Sequence, residues 1–217
     1  MLVVGAACAG RTKLGERPDP GDPCSRRGAR SLVLRVVIAR GEERFTGKAM
    51  VAYRRPEWVR GELYDPVGTP RGSFLLTGDR LALQLPGAGE VIEETPSWDG
   101  WDGLLGIPEG SSGLFPLLPM LLDPWAAAGD SDGSIVEVAT SAGEQVTLTF
   151  EGTNPTGLTV VDEGRERVVC SFEGGDGCLA AEEYTVDLIH DGVVMWMTVE
   201  ADGAFPDLDH ADHLPEQ

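Results

Sequence analysis

The segment Trp101-Asp-Gly-Leu-Leu-Gly-Ile-Pro108, followed by Leu114-Phe-Pro-Leu-Leu-Pro-Met-Leu-Leu122, decides how the rest of the chain is read. Together with Trp98, three residues before Trp101, it is apolar on nearly every side. Gly106, Pro108, Pro116, Pro119 and Pro124 nevertheless stop it from forming one long helix, because an interior proline removes a backbone donor and clashes with the preceding turn. The spacing predicts two short helices, near 98–105 and 111–122, inside an apolar interruption over 96–129. Leu114, Leu117, Leu118, Leu121 and Leu122 stand at i, i+3, i+4, i+7 and i+8, which builds one apolar helix face. That face is either a displaceable lid over a concavity or a plain core helix pair closing one side of a sheet. The same two readings, cavity roof or core, hold for Trp98 and Trp101.

On both sides of the interruption the period changes to two. Leu32, Leu34, Val36 and Ile38 share one face of a candidate strand that starts near Ser31, with Val33, Arg35, Val37 and Ala39 on the other. Further strands are expected at about 43–54, 57–64, 71–77, 80–85 and 90–94, separated by Gly- and Pro-containing turns. After the interruption they resume at 134–140, 145–151, 157–162, 166–172, 182–190 and 193–201. Six strands, a helical interruption and about six more make one curved antiparallel sheet with a lid. The two halves show no internal repeat, so 31–201 reads as one domain.

The ends of the chain carry other signals. Leu-Val-Val-Gly-Ala-Ala-Cys-Ala at 2–9 is an apolar run of small residues. Gly5-Ala6-Ala7-Cys8 resembles a bacterial lipobox, so residues 1–8 are expected to be the remnant of a signal peptide, with Cys8 as the lipidation site. Gly5 stands where that pattern usually has Leu, and a start placed too late or a chance apolar terminus would each explain the departure. Residues 9–30, polar and rich in Pro and Gly, suit a flexible tether. Residues 202–217 read as an acidic tail. Its His210-Ala-Asp-His213 pair, near Asp207 and Asp209, is weak as a metal clasp, and no metal site is expected. Cys170 and Cys178 flank a Gly-rich turn, and they are either a disulfide suited to an oxidising compartment or two unpaired thiols.

Charge narrows the function. Lys and Arg number 17 against 36 Asp and Glu, a net charge of −19, and the acidity falls almost wholly after residue 60. A phosphate-neutralising surface for nucleic acid is therefore not expected. With His190 the one histidine outside the tail, a Ser-His-Asp or Cys-His set has few ways to form. There is no Gly-rich phosphate loop ending in Lys and Ser or Thr. The expectation is a protein that is not an enzyme and carries no cofactor.

From Trp58-Val-Arg-Gly-Glu-Leu-Tyr-Asp-Pro-Val-Gly-Thr-Pro-Arg-Gly-Ser-Phe-Leu-Leu-Thr-Gly-Asp-Arg-Leu-Ala-Leu83-Gln-Leu85 through the two apolar segments quoted above, the chain resembles the LolB-like outer-membrane lipoproteins. The resemblance covers about residues 31–201 and rests on order and spacing, without a catalytic motif. It implies an open, unclosed antiparallel β-barrel of about eleven strands with short helices over an apolar concavity, the fold shared by LolA and LolB. A closed lipocalin-like barrel is the structural competitor. The resemblance further implies acyl chains or lipoproteins as partners, a periplasmic carrier protein as donor, and an outer-membrane location facing the periplasm through a lipid anchor. Asp65-Pro66-Val67-Gly68-Thr69-Pro70 matches the family's protruding apolar loop, which makes Val67 the membrane-contacting residue or else an ordinary exposed turn residue. Arg60 stands where relatives often have a base. It reaches a lid carbonyl or a ligand headgroup, or it points outward into solvent. A different class of function, an interaction module or sensor on the same fold, competes with the carrier.

Overall fold

The computed structural model describes residues 30–54, 58–78, 80–87, 91–94, 101–129, 133–139, 144–175 and 179–204. Among the described residues twelve strands form one sheet: β1 (Arg30–Arg40), β2 (Glu43–Arg54), β3 (Trp58–Tyr64), β4 (Pro70–Thr77), β5 (Arg80–Gln84), β6 (Val91–Glu94), β7 (Ile135–Ala139), β8 (Gln145–Glu151), β9 (Asn154–Asp162), β10 (Arg165–Glu173), β11 (Glu183–Leu188) and β12 (Val193–Ala204). Their spatial order is β6-β5-β4-β3-β2-β1-β12-β11-β10-β9-β8-β7. Two six-strand meanders therefore meet where β1 pairs antiparallel with β12. The sheet is open, with β6 and β7 as its edges, and the helical interruption links those two edges.

Period-two alternation settles which face is buried. Leu32, Leu34, Val36 and Ile38 of β1 point inward with Val51 and Tyr53 of β2, Leu81 and Leu83 of β5, Val146 and Leu148 of β8, and Met195 and Met197 of β12. Register shifts at Val33/Leu34, Leu63/Tyr64, Thr149/Phe150 and Glu166/Val168 each insert an irregularity that bends the sheet around this face. Six strands stand on each side of the interruption, as the periodicity predicts. β12 also runs three residues past 201, because Arg30–Val33 of β1 pairs with Ala201–Ala204. The start of the expected tail is thus sheet.

The interruption forms α1 (Trp101–Leu105), a 3₁₀ helix (Ser111–Leu117), α2 (Leu118–Leu122) and α3 (Pro124–Ala128). The helix expected over 111–122 is split for a physical reason. Pro116 has no amide to donate inside the 3₁₀ helix, and Pro119 falls in the first turn of α2, where no intrahelical donor is needed. The third helix was not anticipated: Asp123 caps it by accepting from the Ala126 amide at 3.0 Å, and Pro124 opens it. The helix expected from 98 has its described part at 101–105, and Trp98 lies outside the described residues.

Gly61 shows how the core depends on a missing side chain. A Cβ there would lie 2.3 Å from two ring carbons of Phe74, its partner on β4. Phe74 in turn meets Phe115 of the 3₁₀ helix edge-on, with centroids 4.9 Å apart. Gly61→Val is expected to lower unfolding free energy by about 3 kcal/mol, since overpacking must displace this ring pair. Chemical denaturation checks it, and an unchanged midpoint would show that the pair shifts freely.

Candidate functional site

The helical segment lies across the apolar inner face of the sheet. Leu114, Leu117, Leu118, Leu121 and Leu122 are all buried, as is Trp101. Between Leu114, Phe115 and Leu118 on the helices and Leu34, Val36 and Met197 on the sheet remains a narrow apolar space of about 80 Å³. Leu105 of α1 is seated over Gly72 of β4, where a Cβ would come within 2.6 Å of its Cδ2. The concavity is thus present but occupied by the protein's own helices, and its residual volume falls short of the roughly 300 Å³ at which ligand pockets begin.

Polar contacts fix the helical segment internally and tie it to the sheet, where the Trp125 indole also donates to the Thr153 carbonyl at 2.8 Å. Asp102, 5% exposed, accepts from the Gly110 amide at 2.7 Å, the Ser112 amide at 2.6 Å and the Ser112 hydroxyl at 3.2 Å. Its carboxylate therefore fixes the loop that joins α1 to the 3₁₀ helix. Arg40 at the end of β1 bonds Glu109 of that loop at 2.6 Å and donates to the Asp191 carbonyl at 3.0 Å. Gly110 has φ 88° and would place a Cβ 2.4 Å from the Asp191 Cβ, so the loop turns tightly against the β11–β12 connection.

Electrostatics follow from this burial. Desolvation raises the Asp102 carboxyl above the usual carboxylate range; its hydrogen bonds from Gly110 and Ser112 oppose the rise and the Asp191 charge adds to it. Glu144 is raised by desolvation as well, opposed by Arg167 at 2.9 Å and assisted by Asp162. A carboxyl whose folded pKa lies above its unfolded value binds a proton more readily in the folded chain, so its contribution to stability falls as pH rises from the ordinary carboxylate range through the folded pKa. Acidification from neutral pH toward the ordinary carboxylate range is therefore expected to raise the melting temperature. Asp102→Asn should flatten that rise, and thermal scans across the window in which both proteins keep the same slope would contradict the assignment.

The remaining sequence-predicted residues occupy separate places. Val67 is 86% exposed at the tip of the β3–β4 turn. The turn is rigid: the Asp65 side chain accepts from the Val67 amide at 3.0 Å and the Thr69 amide at 2.8 Å, and Arg71 pairs with it at 3.3 Å. Backbone donation from Thr69, then from Val67, and the Arg71 charge hold the Asp65 carboxyl below its usual range against a desolvation that opposes them. Arg60 pairs with Glu62 on its own strand at 3.5 Å, and the inward positions of β3 are those of Val59 and Gly61 beside it, so Arg60 turns to the outer face and not to the lid. Cys170 is buried, and desolvation pushes its thiol up to about 12; its candidate partner Cys178 lies outside the described residues. Cys8, Cys178, His210 and His213 lie outside the described residues. Among the described residues no group of three or more His, Cys, Asp or Glu is placed to hold a metal ion, and no helix is long and apolar enough to cross a membrane.

Sequence reasoning missed Asp102, Gly72 and the Arg40–Glu109 tie. One signal was legible: a lone carboxylate inside a Trp-Asp-Gly-Leu-Leu run must be satisfied if the run is buried.

No family model matches the chain, and no curated protein matches it in sequence. Solved structures do match in fold. A LolA-superfamily protein of Nitrosomonas europaea superposes with a TM-score of 0.54 at 12% identity, over 88% of this chain and 92% of that one. A domain from Vibrio parahaemolyticus, named for outer-membrane lipoprotein sorting, gives 0.58 at 11%, and a DUF1329-family protein of Desulfovibrio piger gives 0.58 at 13%, each over 85% of this chain and 88% of that one. The chain therefore has the open LolA/LolB-type fold.

Proposed function

We propose that this protein is a non-enzymatic, lipid-anchored protein of the bacterial envelope that binds acyl chains beneath its helical lid, most simply to accept or localise lipoproteins at the outer membrane. The observation that carries the reading is the lid: a helical segment broken by prolines and laid over the apolar inner face of an open sheet. A sixteen-carbon chain gains roughly 12 kcal/mol on leaving water but almost nothing relative to a bilayer, at ~0.8 kcal/mol per CH₂. Transfer between such a carrier and a membrane is then nearly isoenergetic and needs no catalytic residue. Because the space under the lid is only about 80 Å³, the lid must move to admit a chain.

The LolB-like, accepting role takes Cys8 as the lipidation site and Val67 as the membrane-contacting residue; the exposure of Val67 on its hydrogen-bonded turn supports the latter. A periplasmic carrier protein would be the donor. The small volume under the lid also favours a second reading, in which the fold works as an interaction module or sensor and the lid is permanent core.

Titration with a fluorescent fatty acid tests the proposal. Saturable binding displaced by palmitate is expected, and a folded protein that binds no acyl probe would reject the carrier. Val67→Asp should leave binding in solution unchanged and slow transfer to vesicles; equal transfer rates would remove Val67 from the account.

A further inference from the structure

A second cavity opens at the end of the sheet where β1, β9 and β11 finish. At about 360 Å³ it falls inside the range of roughly 300–1,000 Å³ typical of ligand sites. Its apolar floor is made by Leu117, Val160, Val168 and Leu188. Its rim is charged, with Arg40 and Glu109 paired on one side and Arg167 and Glu144 on the other. These pairs use both guanidinium groups; beside them the lining carries the imidazole of His190 and two further carboxylates, Asp102 and Asp191. Asp102 is satisfied by the loop it clamps; Asp191 accepts from Arg40 through its backbone carbonyl, and its side chain lies beside Gly110 on the cleft wall, where its negative charge acts on Arg40 and Asp102.

The cleft and the narrow apolar space share a wall. Gly113 and Leu117 of the 3₁₀ helix line the cleft, while Leu114 and Phe115 of the same helix line the space under the lid. Displacing this one helix would merge the two. We infer that the cleft takes the amine-bearing polar end of an amphiphile whose tail runs beneath the lid. The inference rests on the carrier reading and adds a headgroup class to it. An ammonium group meets the carboxylate excess at the rim, and the apolar floor carries the first methylenes inward past Leu117. An anionic headgroup of the same tail would face that excess unpaired.

Calorimetric titration of the full chain with decylamine, decanol and decanoate, each below its micelle concentration, tests this. The amine should bind about tenfold tighter than the alcohol, a difference of ~1.4 kcal/mol, and decanoate more weakly than either. Asp191→Asn should bring the amine close to the alcohol while decanol affinity stays as in wild type. Because the whole chain is acidic, Glu137→Gln on β7, outside the cleft, serves as the control and should keep the full preference. Equal binding of amine and alcohol would overturn the headgroup site and leave the carrier standing. A preference lowered equally by both variants would overturn it too, as general charge attraction. Binding of none of the three would overturn the site and the carrier together.

Discussion

Leu118→Asp should abolish acyl-probe binding while the sheet stays folded. Leu118 opens α2, is buried, and lines the narrow space against Leu34, Val36 and Met195. A carboxylate there faces an apolar wall, at a cost of several kcal/mol unless it neutralises or leaves. The sheet is held by a continuous antiparallel ladder from β6 to β7, whereas the helices are tied to it by the Arg40–Glu109 pair, by the Trp125 indole donating to the Thr153 carbonyl, and by apolar contact. Release of the helical segment is therefore the less costly response. Probe affinity should fall at least about tenfold, which is ~1.4 kcal/mol, with strand circular dichroism and the melting temperature nearly retained. If instead the cooperative transition absorbs about 3 kcal/mol, the melting temperature drops by roughly 6–12 °C, and the lid is core.

Asp102→Ala should act in the opposite direction on ligand entry. It removes the acceptor shared by the Gly110 amide, the Ser112 amide and the Ser112 hydroxyl, and the two amides are left without their partner in a buried loop. Each orphaned group costs about 1–3 kcal/mol where water does not reach it, so the loop relieves the cost by opening. Acyl-probe association should accelerate by about tenfold and protease cutting within 106–112 should appear. Asp102→Asn, which keeps an acceptor oxygen, should show much less of both. Identical association rates for Ala, Asn and wild type would mean that the clamp does not govern access.

Strand periodicity made most of the fold legible. Leu32, Leu34, Val36 and Ile38 alternate as a half-buried strand must, and they line the inner face as read. The apolar spacing of Leu114, Leu117, Leu118, Leu121 and Leu122 likewise marked the buried side of the lid, although helical periodicity did not reveal that Pro116 and Pro119 divide it into a 3₁₀ and an α segment. What stayed hidden depends on contacts between distant residues. Gly72 is an unremarked strand glycine until Leu105 is placed on it, and Arg40 is a surface base until β1 ends beside Glu109. Arg60 was ambiguous for a related reason: its strand has Trp58 and Val59 both buried, so alternation alone did not fix which side it faces. The charged cleft draws residues from β1, β9, β10, β11 and the lid loop, and only the completed topology assembles it.

Native mass spectrometry of the protein released gently from its own envelope tests the central claim most directly. Adducts with the masses of acyl species are expected, lost when the helical segment is displaced by Leu118→Asp. A single clean polypeptide mass for the folded wild type, under conditions that preserve a known lipid carrier's cargo, would contradict it.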